Sequence, residues 1–204
     1  MTRKPHKWDE KYSRDQYLFG TEPNAYLAER YADIPMGEVL CLGDGEGRNS
    51  VFLAKQGYKV TAVDMSLVGL SKAKKLAQQN VVEIDFVHSD LAEFDIGQSQ
   101  WQGIVSIFCH LPPVLRQKVH RDCVTGLADG GAILLEAYTP EQLKNGTGGP
   151  ANIDMLMTAD TLREDFKGVN FLRLAELDRD VQEGQGHFGP SAVVQLAGIK
   201  VAIK

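Results

Sequence analysis

Val39-Leu40-Cys41-Leu42-Gly43-Asp44-Gly45-Glu46-Gly47-Arg48-Asn49-Ser50 reads as an apolar strand, a glycine loop and the start of a helix. Four successive apolar residues suit a strand buried on both faces. The glycines permit a tight turn and let a ligand approach the backbone. The helix runs on through Val51-Phe52-Leu53-Ala54-Lys55, and Gly57 supplies its stop. A second strand at 59–63 ends at Asp64, 21 positions after Gly43. An acid at that distance can accept from both hydroxyls of a ribose. Asp64 reads equally as the cap of a helix starting near Ser66.

The strand–helix alternation continues outward from this unit. Leu67, Leu70, Ala73 and Ala77 mark one helical face, and Lys72, Lys74 and Lys75 read as its solvated side. Strands are expected at 84–88, 104–108 and 132–138, with Asp129-Gly130-Gly131 as a turn before the last. A helix follows Pro112-Pro113, and another is capped at Thr158. On the N-terminal side a short helix follows Asn24. The tail changes pattern: two strand-like segments, 170–181 and 191–201, have no helix between them. The expected fold class is α/β: a Rossmann-like, seven-stranded, mostly parallel sheet with helices on both faces and an antiparallel C-terminal strand. The eight residues 183–190 read as a loop longer than a plain hairpin needs.

The 204 residues suit one domain, with 1–37 as a lid-like N-terminal segment and 38–204 as the Rossmann-like core. A net charge of -5 argues against a general nucleic-acid binder, which needs a dense Lys/Arg footprint. Cys41, Cys109 and Cys123 form no Cys-x-x-Cys pair, so neither a metal site nor a disulfide framework is expected. Reduced cysteines, no apolar signal-like run after the basic start and no membrane-length apolar stretch together suggest a cytoplasmic protein; a monomer or homodimer is expected.

The loop also discriminates between nucleoside ligands. Its glycines are spaced Gly-x-Gly-x-Gly, not the Gly-x-Gly-x-x-Gly of dinucleotide sites. Asp44 and Glu46 lie inside it, where they would repel a pyrophosphate. S-adenosylmethionine (SAM) carries no phosphate, and its sulfonium and ammonium are both positive. SAM is therefore the expected cofactor, and an NAD-dependent oxidoreductase is disfavoured.

The loop, Asp64, Ser89-Asp90-Leu91 and Phe108 resemble the run of cofactor motifs in class I SAM-dependent methyltransferases. Further stretches resemble the bacterial tellurite-resistance and thiopurine-type methyltransferases. These are Trp8-Asp9-x-x-Tyr12, Tyr17-x-Phe19-Gly20-Thr21-Glu22-Pro23-Asn24, Glu136-Ala137-Tyr138-Thr139-Pro140-Glu141-Gln142, Gly148-Gly149-Pro150 and Glu183-Gly184-x-Gly186-His187. One departure stands out. The family commonly has an acid two residues before the first loop glycine, and here that residue is Cys41; Asp44 is a candidate to supply the charge.

The resemblance implies a cofactor site of Gly43, Asp44, Gly45, Gly47, Asp64, Met65, Asp90, Leu91 and Phe108. Asp90 would face the adenine amine, or else is a plain turn aspartate. It implies an acceptor site with Tyr138 and Gln142 as substrate contacts and His187 as the catalytic group. His110 reads evenly as a second catalytic base or as a helix cap. Trp8, Tyr12, Tyr17 and Phe19 would form a lid, or pack on the sheet. His88 and His120 read as ordinary histidines. The implied activity is methyl transfer from SAM to a small-molecule acceptor, either a thiol, a thiopurine, or a metalloid oxyanion such as tellurite or selenite. The competing reading is a SAM-binding sensor or interaction protein without turnover.

Overall fold

A computed structural model describes residues 6–202. Residues 1–5, with the sequence reading of that basic start, lie outside the described range. Five strands run parallel: β1 (Glu38–Leu42), β2 (Lys59–Asp64), β3 (Ile84–His88), β4 (Trp101–Ile107) and β5 (Leu127–Tyr138). β6 (Val169–Glu183) and β7 (His187–Lys200) complete one sheet in the order β3-β2-β1-β4-β5-β7-β6. β7 is antiparallel to both its neighbours, as the tail pattern requires.

Strand alternation places a core on each face of the sheet. Val39 and Cys41 face one side, beneath Leu27 of α2 (Ala25–Arg30) and Leu53 of α3 (Arg48–Lys55). Leu40 and Leu42 face the other, beneath Val119 and Cys123 of α5 (Pro113–Gly126) and Leu162 of α6 (Ala159–Asp165). Leu40, Leu53 and Leu162 are fully buried, so truncating any one to Ala costs about 2–5 kcal/mol. Caps fix the helix starts: Asn24 accepts from the Leu27 N–H, and Ser66 accepts from Gly69 at the start of α4 (Leu67–Gln79).

Two expectations need correction. Asp129-Gly130-Gly131 does not precede β5 but lies within it: residues 127–132 of β5 lie opposite residues 101–103 of β4. The surplus residues make a bulge, with Gly130 at φ 77°. The tail loop is also shorter than expected. β6 and β7 pair as far as Glu183 and His187, so only Gly184-Gln185-Gly186 join them. His187 is the first residue of a strand, only 7% exposed, and not a loop residue. The β6–β7 pairing extends past the end of β5, which carries His187 beyond the C-terminal edge of the parallel strands, where ligands of open α/β sheets bind.

Candidate cofactor and acceptor site

Gly43, Gly45 and Gly47 adopt φ of 60°, 61° and 93°, a region L side chains rarely enter. The loop they form joins β1 to α3. Asp44 accepts from the Ser50 hydroxyl at 2.5 Å and the Ser50 N–H at 3.3 Å, tying it to the first turn of α3. Asp64 ends β2 and holds the loop from the other side. Its two oxygens accept from the Gly45 N–H at 2.9 Å and the Ser66 N–H at 2.8 Å. Ser66, not Asp64, is the cap of α4. Burial pushes the Asp44 carboxyl up to about 6, and burial also raises Asp64.

The two carboxyls make no ion pair among the described residues. Buried acids in that condition favour a cationic ligand. A diphosphate would add like charge, at about 3 kcal/mol per unit pair for a separation near 5 Å and an effective dielectric near 20. The donor set therefore fits a sulfonium-bearing nucleoside and not a dinucleotide.

The other cofactor candidates follow the strand ends. Met65 succeeds Asp64, and its carbonyl accepts from His88 Nε2 at 3.0 Å. Asp90 closes the turn after β3, one oxygen accepting from the Ala92 N–H at 2.9 Å, and Leu91 is buried behind it. Phe108 directly follows β4 at a positive φ of 51°, with its N–H held by the Glu136 carbonyl at 2.7 Å. That strained conformation turns the ring out of the strand and onto Tyr138, 4.5 Å away between centroids.

His187 sits in an aromatic frame. Its ring centroid lies 4.3 Å from Phe19, 4.4 Å from Phe108 and 5.4 Å from Tyr138. Its Nδ1 is buried without a hydrogen-bond partner among the described residues. Burial, and then the positive field of Arg48, push the imidazole down to about 2, so it stays neutral. Tyr138 is fully buried and its hydroxyl is also unpartnered among the described residues; nearby Ser191 donates instead to the Gly189 carbonyl.

Two expected site residues have other work. His110 donates from Nδ1 to the Phe108 carbonyl and accepts at Nε2 from the Tyr138 N–H, both at 3.0 Å. Neither nitrogen is left for a substrate, and burial lowers the ring to about 4. His110 is thus a brace between the ends of β4 and β5, not an open base or a helix cap. Gln142 is spent on main chain and loop. Its Oε1 accepts from the Ala192 N–H at 2.8 Å, and its Nε2 donates to Thr147 Oγ1 at 2.9 Å and Gly148 O at 3.3 Å. It fastens the Gly148–Gly149 segment that covers Tyr138, where a Cβ at Gly149 would lie 2.8 Å from the ring.

The N-terminal aromatics reach this site from above. Helix α1 (Lys7–Tyr12) stacks Trp8 on Tyr12 at 5.4 Å and leads to Phe19. Tyr12 is pressed on the glycine loop: a Cβ at Gly45 would lie 2.6 Å from its hydroxyl. Asp9 accepts from the Ser66 hydroxyl at 2.6 Å. Lys72 is not on a solvated face. It ion-pairs with Glu46 of the loop and donates to the carbonyls of Tyr12, Arg14 and Gln16. Glu46 also accepts from the Leu18 N–H at 2.7 Å. His120 is buried too, paired with Asp165 at 2.9 Å beside Arg116.

Sequence reasoning missed the charged layer beneath this segment. Asn24 donates to Glu136 at 2.6 Å and to Glu183 at 2.9 Å. Arg179 holds the same two glutamates, and Arg48 pairs with Glu183 at 2.6 Å. The partners lie 112 to 159 residues apart from Asn24, so no local spacing reports them. The only signal was the presence of Asn24, Glu136 and Glu183 in the stretches that carry the family resemblance.

Residues 39–131 match the family described as "Methyltransferase domain". Among curated proteins, the ubiquinone biosynthesis O-methyltransferase of Rickettsia canadensis is 34% identical over 67 residues, 33% of this chain and 28% of that protein. That of Escherichia coli O157:H7 is 29% identical over 112 residues, 53% of this chain and 46% of that protein. The chain therefore spans less than half the length of these curated relatives. Among solved structures, TehB from Haemophilus influenzae superposes with a TM-score of 0.71 at 20% identity, over 95% of this chain and 65% of that one. A structure described as "Conversion of a Disulfide Bond into a Thioacetal Group during Echinomycin Biosynthesis" gives 0.75 at 18% identity, over 95% and 88%. A SAM-dependent methyltransferase from Methanosarcina mazei gives 0.64 at 15%, over 81% and 93%. The fold is the Rossmann-like one of these solved structures, and residues 39–131 are similar to a methyltransferase domain.

Proposed function

We propose that the protein transfers a methyl group from SAM to the thiol or hydroxyl of a small, largely apolar molecule, with His187 accepting the acceptor's proton. The observation that carries this reading is the buried, neutral His187 with a free Nδ1 inside a frame of Phe19, Phe108 and Tyr138. Gly43, Asp44, Gly45, Gly47 and Asp64 would hold the cofactor, with Met65, Asp90, Leu91 and Phe108 along its adenosyl end. The residues before β1 would act as a lid over a single working domain.

When bound, SAM supplies an activated methyl on a cationic sulfonium. Positioning then does most of the work, because the methyl needs only a lone pair in line with it. Tyr138 and Phe108 wall the acceptor and exclude water. His187 takes the acceptor's proton as the methyl bond forms. Burial and the field of Arg48 hold the ring neutral, so His187 would offer a free lone pair at Nδ1 to the acceptor's hydrogen.

The acceptor class follows from the neutral ring. A neutral imidazole suits a thiol, a thiopurine or a phenolic hydroxyl. A metalloid oxyanion such as tellurite or selenite would draw on an imidazolium, which burial disfavours here. The sulfur chemistry named for one structural neighbour and the O-methylation named for the curated relatives are consistent with the first group.

The test is release of S-adenosylhomocysteine with thiols, thiopurines, phenols, tellurite and selenite. We expect release with a thiol or phenol, and a large loss in His187→Ala with SAM affinity retained. Release with tellurite alone would reverse the acceptor assignment. SAM binding without release from any acceptor would favour the sensor reading.

A further inference from the structure

Arg48 is the first residue of α3, directly after the glycine loop, and is 7% exposed. One terminal nitrogen, Nη2, is held by Glu183 at 2.6 Å. The other, Nη1, is buried and has no partner among the described residues. A buried guanidinium N–H without an acceptor is costly, so its retention calls for a ligand atom. That atom must be an acceptor, because guanidinium only donates.

The sheet order locates it. Asp64 ends β2, and Asp90 follows β3, on one side of β1. A nucleoside with its ribose at Asp64 and its base towards Asp90 sends its other end across the glycine loop towards β4. Arg48 stands at that end, its field reaching Tyr12, Asp44 and His187. The far end of SAM is an α-amino acid, and its carboxylate is the one anionic group of the cofactor.

Resting on the cofactor reading above, we infer that Arg48 Nη1 binds the methionyl carboxylate of SAM, while Glu183 fixes the guanidinium for that purpose. The amino-acid end then lies between the loop and the strand that starts at His187. Because Glu183 pairs across the hairpin with His187, one side chain ties the cofactor's tail to the acceptor side of the site.

The experiment is calorimetric and needs no turnover. Dissociation constants are measured for SAM, for decarboxylated SAM and for 5′-methylthioadenosine. The native protein should bind SAM about 10- to 100-fold more tightly than decarboxylated SAM, the range for a charge-assisted hydrogen bond. In Arg48→Gln that preference should collapse while 5′-methylthioadenosine binds within about twofold of the native value. Arg48→Lys should recover part of the preference. Equal affinity of the native protein for SAM and decarboxylated SAM would overturn the inference, whether or not the variants fold. Equal loss of all three ligands in Arg48→Gln would overturn it as well, by assigning Arg48 to the fold alone. A native protein that binds none of the three would remove the cofactor reading itself.

Discussion

The Phe19 ring lies 4.3 Å from the His187 imidazole, centroid to centroid, although the two residues belong to opposite ends of the chain. The contact makes the N-terminal segment part of the aromatic frame around His187. It also rests on close backbone packing, since the Gly186 N–H donates to the Leu18 carbonyl at 3.0 Å. Phe19→Ala removes the ring and leaves the backbone contact. An aromatic pair is worth about 0.5–1.5 kcal/mol beyond its buried area, so kcat/KM for the acceptor should fall at least about 3- to 10-fold. SAM affinity, measured by calorimetry, should change less. A loss confined to SAM affinity would place Phe19 at the cofactor instead.

Asp44 should make cofactor binding pH-dependent. Its folded pKa, near 6, lies above the ordinary carboxylate value of 3.8. Between those values the folded protein keeps a proton that the unfolded chain has lost, so the group's contribution to stability falls as pH rises from about 4 to about 6. A cationic ligand favours the ionised form. SAM affinity should therefore rise through pH 6 and level off above it. Asp44→Asn should flatten that rise; calorimetry at pH 5, 6 and 7 decides, and an unchanged slope in the variant would assign the dependence elsewhere.

The buried histidines should pull stability the other way. His110 and His187 are lowered to about 4 and about 2, and His120 is lowered too, all by burial first. Below pH 6.5 the unfolded chain protonates at these positions, whereas in the folded protein His110 and His187 stay neutral to about pH 4 and His120 protonates less readily than a free imidazole. Stability should thus fall as pH drops from 7 towards 5, the three histidines outweighing the opposing Asp44 and Asp64. Urea unfolding across that range measures it. NMR should show no titration of His187 between pH 5 and 8.

Asp64→Ala has two expected effects. The carboxylate holds two main-chain N–H groups, at Gly45 and Ser66, so the loop loses its fixed shape and the melting temperature drops. SAM affinity should weaken by about 1–3 kcal/mol, the scale of hydrogen bonds to a charged group. Unchanged SAM affinity in a folded Asp64→Ala protein would remove Asp64 from the cofactor site.

The parallel half of the fold was legible because its signals are local. β1, the glycine loop and α3 are one contiguous stretch, and their periodicity, caps and stops need no distant partner. The antiparallel tail was legible as two strands but not as a hairpin of its true length. Gly184, Gly186 and Gly189 look like loop residues in sequence. In the structure, Gly184 and Gly186 give room for residues 18–20, and Gly189 belongs to β7. The place of the glycine loop between β1 and α3 could be read from its glycines and the apolar run before them. His110 and Gln142 could not be told from active groups, because what occupies them is main chain supplied by folding. Lys72 failed for the same reason: its helical periodicity says nothing of the carbonyls of residues 12–16 that surround it.

Glu136 is the sharpest test of the charged layer. It is fully buried on β5. Four hydrogen bonds reach its two oxygens: from Asn24 at 2.6 Å, Arg179 Nε at 3.0 Å, Arg179 Nη2 at 2.6 Å and Gln195 at 2.7 Å. In all four bonds the partner donates, so the position demands a group that only accepts, and an ionised carboxylate is that group. Glu136→Gln is close in shape but brings an NH2 that faces donors on one side. It also leaves Arg179 with Glu183 as its remaining buried acid. Breaking one partner of a buried pair costs about 3–5 kcal/mol, and urea unfolding should show a loss of that order. The network predicts coupling as well: Glu136→Gln combined with Arg179→Met should cost clearly less than the two single changes added, since the second removes the charge that the first strands. Additive costs would mean that Glu136 and Arg179 act independently and that Asn24 and Gln195 alone set the requirement for a carboxylate.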